Sequence, residues 1–231
     1  MKKITITLAI GILMIACTEK NENTMVVKGT IKNLKKGILY LQKMNDTMAV
    51  TVDSIALDGV DTFTLSDEIE SPELYFLSLN KSNDKKIAFF GDKGTITINT
   101  KLEKFRYGAT VTGLANQQLL DEYKEMMGKF SDKRLEYIKA EFDAKRANDS
   151  VMIDSIRNLQ KSLVKRRYYY TTNFAVTHAD NDIAPYLALT ELFDANVRLL
   201  DTVNNTLTPE IKASKYGKAL DKFIADIKRK E

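Results

Sequence analysis

Two periods of apolar residues divide this chain. From Met25 to about Gly113, short runs rich in β-branched and aromatic residues alternate with turn residues. Met25 to Ile31, Ile38 to Leu41, Met48 to Leu57, Thr62 to Leu65, Leu74 to Leu79, Lys86 to Phe90, Thr95 to Asn99 and Thr110 to Thr112 read as strands. The breaks between them carry Asn33, Gly37, Asn45-Asp46, Asp58-Gly59 and Gly91-Asp92-Lys93-Gly94, which are turn formers. Closely spaced strands with no helix between them predict an antiparallel β-sandwich over residues 25–113.

The second half has apolar residues three and four apart and no proline between Pro72 and Pro185. Leu119, Tyr123, Met126, Phe130 and Tyr137 form one stripe, and Met152, Ile156, Leu159, Leu163, Tyr170 and Phe174 form another. Asn148-Asp149-Ser150 between them is a turn and N-cap signal, so the pattern predicts a long antiparallel helix hairpin. Helices of about thirty residues would each span roughly 45 Å. Pro185 opens a further helix with Tyr186, Leu187, Leu189, Leu192 and Phe193, and Thr208-Pro209-Glu210 opens a last helical region with Leu220, Phe223, Ile224 and Ile227. The expected fold class is α+β: an N-terminal antiparallel β-sandwich, then an all-helical region over 114–231 that contains the hairpin.

Residues 1–24 have neither period. Lys2 and Lys3 precede an apolar run from Ile4 to Ile15, then Ala16 and Cys17. That order is a secretory signal, too short to span a bilayer. Met14-Ile15-Ala16-Cys17 resembles a lipobox, which implies a signal peptide over 1–16, lipidation of Cys17 and a polar tether over 17–24. The expected location is the cell envelope, lipid-anchored at the outer membrane on its periplasmic or surface face.

Composition then narrows the chemistry. Cys17 is the sole cysteine and would be taken by lipid, leaving no disulfide, thiol nucleophile or Cys-X-X-Cys pair in the folded part. With His178 the sole histidine, the usual zinc sites and a Ser-His-Asp triad are excluded. The formal charge of +4 falls when Lys2 and Lys3 leave with the signal, and charges of both signs are interspersed, which argues against nucleic acid as a partner. No metal or cofactor is expected.

Val27-Lys28-Gly29-Thr30-Ile31, Gly37-Ile38-Leu39-Tyr40-Leu41, Asp53-Ser54, Phe63 and Val111-Thr112-Gly113 resemble the domain of unknown function numbered 4369, found in Bacteroidetes lipoproteins. Asn173-Phe174-Ala175, Asp182-Ile183-Ala184-Pro185-Tyr186 and Ser214-Lys215-Tyr216-Gly217-Lys218 are similar to the helical region that follows it there. In many such relatives this region precedes a thioredoxin-like domain of the TlpA or ResA type, whereas this sequence reaches Glu231 where that domain would begin. The resemblance implies an accessory region, hence a non-catalytic binding or scaffold module. The alternatives are an accessory serving a periplasmic thiol-disulfide oxidoreductase in trans, and a carboxylate-based envelope hydrolase.

Candidate sites follow from local patterns. The hairpin supplies candidate partner-binding residues Tyr137, Phe142, Arg166, Arg167, Tyr168 and Tyr169, for a protein partner or a second copy. Lys165 to Tyr170 point all round a helix axis, so a solvated face with one or two buried tyrosines is the plainer reading. His178 is expected to cap its helix, and Asp121, Glu122 and Glu125 to serve an early helix turn. Asp followed by Ser or Thr and then an aliphatic, Met or Thr residue recurs along the chain and resembles the O-glycosylation acceptor of exported Bacteroidetes proteins. It marks Thr47, Ser54, Ser150, Ser155 and Thr202 as candidate acceptors. Asp-Ser and Asp-Thr are also ordinary turn and cap pairs.

Two acyl chains hold a protein at a membrane stably, whereas one binds reversibly. Cys17→Ser is therefore expected to release a soluble protein or leave an uncleaved precursor, as read by fractionation and intact mass.

Overall fold

The computed structural model describes residues 23–45 and 48–230. Its strands are β1 (Thr24–Lys32), β2 (Lys36–Asn45), β3 (Met48–Asp58), β4 (Thr62–Glu68), β5 (Glu73–Leu79), β6 (Lys86–Gly91), β7 (Gly94–Lys101) and β8 (Thr110–Thr112). They form two four-stranded sheets in the orders β4-β1-β7-β8 and β3-β2-β5-β6. Alternation along the strands places Met25, Val27 and Ile31 of β1, Leu39 and Leu41 of β2, Tyr75 and Leu77 of β5, and Ile96 and Ile98 of β7 in one core between the sheets.

One ladder departs from the antiparallel expectation. β1 pairs with β7 in parallel, in register from Met25↔Gly94 to Lys32↔Lys101. A parallel pair needs a long crossover. Here the whole second sheet, built from the chain between the two strands, supplies it. Gly29 sits on this ladder because a Cβ there would lie 1.7 Å from the Ile98 carbonyl oxygen.

The helices are α1 (Ala115–Arg146), α2 (Ser150–Thr177), α3 (Ile183–Glu191), α4 (Val197–Thr206), α5 (Pro209–Ala213) and α6 (Lys215–Lys228). Strands come first and helices after, with α1 and α2 packed together, so the α+β class is as expected. Asn148 turns the chain between them at φ 56°, and Asp149 caps α2 by accepting from the Met152 N–H at 2.9 Å. Thr208 caps α5, and Ser214 caps α6 through the Gly217 N–H at 3.3 Å. Ser214 also splits the last helical region in two.

Two details differ from the sequence pattern. Phe193 lies past the end of α3 and is 60% exposed, because the helix stops at Glu191 and Leu192 already fills the core. A separate helix, α4, buries Leu200 and Val203, a stripe too short to stand out among its polar neighbours.

The sandwich and the helices meet at Phe90. This residue is fully buried with Leu120, Tyr123, Phe174, Ile183 and Leu187. Its ring meets Tyr186 edge-on at 5.5 Å and Tyr216 at 6.1 Å. The backbone is joined as well. Gln117 of α1 accepts from the Phe90 N–H at 2.7 Å, Tyr216 of α6 accepts from the Leu74 N–H at 3.0 Å, and Asn116 accepts from the Ile183 N–H at 3.0 Å. Since β6 is an edge strand, the helices cover an edge that would otherwise be open to pairing.

Phe90→Ala is expected to lower the unfolding free energy by about 3 to 5 kcal/mol. The exposed Phe193→Ala should stay within about 0.5 kcal/mol of the wild type. Urea denaturation followed by circular dichroism measures both.

Candidate functional site

The α1–α2 hairpin is well covered at its base and bare towards its tip. At the base, Leu120, Tyr123, Thr171 and Phe174 are buried, and the Tyr123 and Thr171 hydroxyls lie 2.7 Å apart. Burial also pushes the Tyr123 phenol well above its ordinary range. Tyr170 joins this cluster, with its ring 6.2 Å from Tyr123 and 6.0 Å from Phe130.

Between residues 125 and 165 the buried side chains are Ala144, Ile156 and Leu163. Polar ties supplement that thin seam. Glu141 accepts from Gln160 across the hairpin at 3.0 Å and pairs with Lys145 at 2.8 Å and Arg157 at 3.6 Å. Hydrogen bonds from Lys145 and then Gln160 hold its carboxyl below the usual glutamate range. Because the folded pKa is depressed, this contribution is present above the unfolded glutamate value and is lost as pH falls through the folded one.

Outside the seam, Leu135, Ile138 and Phe142 follow one another at spacings of three and four on α1, so they share a face. All three are exposed, Leu135 by 61% and Phe142 by 60%. Val151, Met152 and Leu159 are exposed on α2. Apart from Phe142, and Met152 and Leu159 of the predicted α2 stripe, these positions do not stand out in the sequence pattern; the structure leaves Met152 and Leu159 exposed rather than in the seam. The available signal is that Leu135, Ile138 and Val151 fall off both core stripes.

The candidate partner-binding residues fall into two groups. Tyr137 and Phe142 lie on the distal half of α1, with Lys133 5.3 Å from the Tyr137 ring and Arg146 5.9 Å from the Phe142 ring. Arg166, Arg167, Tyr168 and Tyr169 lie nearer the base; Tyr168 is about 12 Å along α2 from Gln160 at 1.5 Å per residue. Tyr168 is half-buried against the helical core and donates to Asp194 at 2.9 Å, while Arg167 stacks over it and reaches Glu191 at 4.0 Å. Arg166 and Tyr169 face solvent, and Tyr169 lines a cavity of about 340 Å³ with Lys165, Asn196 and Arg198. The triplet therefore divides, with Tyr170 and Tyr168 packed and Tyr169 free.

Cys17 and Thr47 lie outside the described residues. Ser54, Ser150, Ser155 and Thr202 are all exposed, on β3, the first turn of α2, mid-α2 and mid-α4 respectively. Thr202 is therefore inside a helix rather than at a helix end, and its hydroxyl donates to the Arg198 carbonyl at 2.8 Å. The aspartates before these hydroxyls have structural partners of their own. Asp53 accepts from the Ser54 and Ser66 N–H groups at 2.7 and 2.8 Å, Asp149 caps α2, Asp154 pairs with Arg157 and Asp201 with Lys228.

His178 is the C-cap residue of α2, its ring 4.6 Å from Phe174. Asp121 accepts from Gln117 at 2.8 Å and Glu125 pairs with Lys129 at 3.1 Å. Among the described residues, no group of three or more His, Cys, Asp or Glu side chains is placed to hold a metal ion, and no helix is long and apolar enough to cross a membrane.

The sandwich and the first turns of α1 are the part of the chain that matches a known family model. Residues 25–120 match the model of a family described as a domain of unknown function (DUF4369). No curated protein and no solved structure matches the chain. The DUF4369 match runs past the last strand to Leu120, and so takes in Gln117, which binds the Phe90 N–H, and Leu120, which with Tyr123 packs in the Phe90 cluster. The α1 base is thus joined to the DUF4369 unit in packing as well as in sequence.

Phe142→Ser should leave the urea midpoint nearly unchanged, within about 0.5 kcal/mol. Leu163→Ala, which empties the seam, should cost about 2 to 5 kcal/mol.

Proposed function

We propose that this chain is a lipid-anchored envelope protein that works as a non-catalytic binding module, with the sandwich as base and the α1–α2 hairpin as a docking arm. One observation carries the reading. Leu135, Ile138 and Phe142 form an exposed apolar stripe on a helix whose other side is already satisfied by its partner helix. Monomeric proteins rarely leave such stripes uncovered, and contiguous exposed apolar surface commonly marks an interaction site. Lys133 and Arg146 beside the aromatic rings keep the stripe soluble while it is free.

The N-terminal pattern supports the envelope assignment. Lys2-Lys3, the apolar run and Met14-Ile15-Ala16-Cys17 support export and lipidation, which would hold the arm at a membrane surface. The partner class we favour is a periplasmic thiol-disulfide oxidoreductase, on the sequence resemblance to the region that precedes thioredoxin-like domains in other lipoproteins. In that role the chain would position the enzyme in trans and contribute no thiol of its own beyond Cys17.

Crosslinking in the native envelope from Lys139, which is exposed on α1 and kept in every variant, together with sedimentation of the purified protein, tests the arm. Replacing Leu135, Ile138 and Phe142 by Ser is expected to abolish the crosslink or self-association while leaving the circular dichroism spectrum and unfolding midpoint unchanged. Association that persists in the triple variant would defeat the docking-arm reading.

A further inference from the structure

A second feature lies far from the hairpin tip. Where the sandwich meets the helices, the facing ends of β2 and β3, the β4–β5 connection, the β6–β7 turn, the α2–α3 turn and the α5–α6 junction line an open cavity of about 900 Å³. That volume lies within the range of small-molecule sites, which favour domain junctions. Its wall includes Asp182, whose side chain is buried with 5% exposure. The Asp182 Oδ1 atom is itself buried and has no hydrogen-bond partner among the described residues.

That orphan is costly. A buried acceptor left unpaired bears the full cost of its desolvation, and more when it is charged. The position does not require it as a helix cap, because Asp182 precedes α3 without capping it through its side chain. Asn116 instead satisfies the first α3 N–H.

Of the other carboxylates that line the cavity, Asp92 from the β6–β7 turn and Glu210 from α5 act on Asp182 electrostatically. Burial first, and then these neighbours, raise the Asp182 pKa, while a hydrogen bond from Ser214 lowers it. A donor carrying positive charge would relieve the orphan and the repulsion together. Among the described residues no three carboxylates are grouped to hold a metal ion, which favours an organic cation as the donor. Lys93 and Lys218 also line the cavity and form no ion pair among the described residues, which leaves them available to an anionic end of the same ligand.

We propose that this junction cavity binds a small molecule bearing a primary ammonium group, held by Asp182 with Asp92 and Glu210 beside it. The ammonium is chemistry shared by polyamines and by amino acids or short peptides. The site is independent of the docking arm, since none of its residues belongs to the hairpin tip.

Calorimetric titration of the full chain with putrescine and, separately, with glycylglycine tests the proposal and distinguishes the sources. Saturable binding of putrescine alone points to polyamines, and tighter binding of glycylglycine to a zwitterionic ligand that also uses the lysines. In either case Asp182→Asn, which keeps the shape and removes the charge, is expected to weaken binding at least about tenfold. Glu210→Gln should weaken it by a smaller factor. The proposal is overturned if neither probe binds the wild-type protein, or if Asp182→Asn binds as the wild type does. Should Asp182→Asn fail to give a native circular dichroism spectrum, Glu210→Gln decides, and unchanged affinity there overturns it.

Discussion

The contact on which the rest depends is Phe90 in its aromatic surround. A sandwich with an open edge and a helical layer with its own core would be two loosely joined bodies. Phe90 makes them one, because its ring is shared with Tyr186 and Tyr216 while its backbone N–H is taken by Gln117. Around this apolar centre lie polar ties. Lys215 pairs with the buried Glu73, and its backbone N–H donates to Ser71 at 3.1 Å. Such a pair contributes little net stability when both desolvation costs are counted, but it fixes the orientation in which the aromatic rings meet.

From that fixed base the hairpin gains its reach. α1 has 32 residues, about 48 Å of helix, and its buried positions apart from Ala144 all fall in the first nine residues. Beyond them, stability rests on Ala144, Ile156, Leu163 and the Glu141 ties. A seam so thin opens more readily than the base, where aromatic stacking is dense. The arm is therefore anchored firmly and held lightly along its length, as the proposed docking role would require.

Much of this was legible in the order of residues. Strand alternation around Val27, Leu39, Leu77 and Ile98 and the two stripes on α1 and α2 predict the elements, because each side chain there reports its burial through local spacing alone. The parallel β1–β7 ladder was not legible, since pairing between residues about seventy apart leaves no local trace. α4 was hidden for a related reason: two buried residues among polar ones carry too little periodicity. The candidate sites fared unevenly. Phe142 and Tyr169 are exposed as a docking residue must be, whereas Tyr168 is held by Asp194 and the helical core. Asp182 could not have been singled out, because its character depends on burial and on Asp92 and Glu210, which only the junction brings near.

The place of β1 in its sheet has a mechanical consequence. It is the first described strand, and it lies between β4 and β7, hydrogen-bonded on both sides. A membrane tether pulling from residues 17–24 would load this strand along its own axis. Both ladders would then have to slip at once, in shear, whereas an edge strand would unzip by breaking its hydrogen bonds in succession. Under the proposed N-terminal anchoring, the chain would thus be fastened through an interior strand of its sandwich rather than one that can be peeled from an edge.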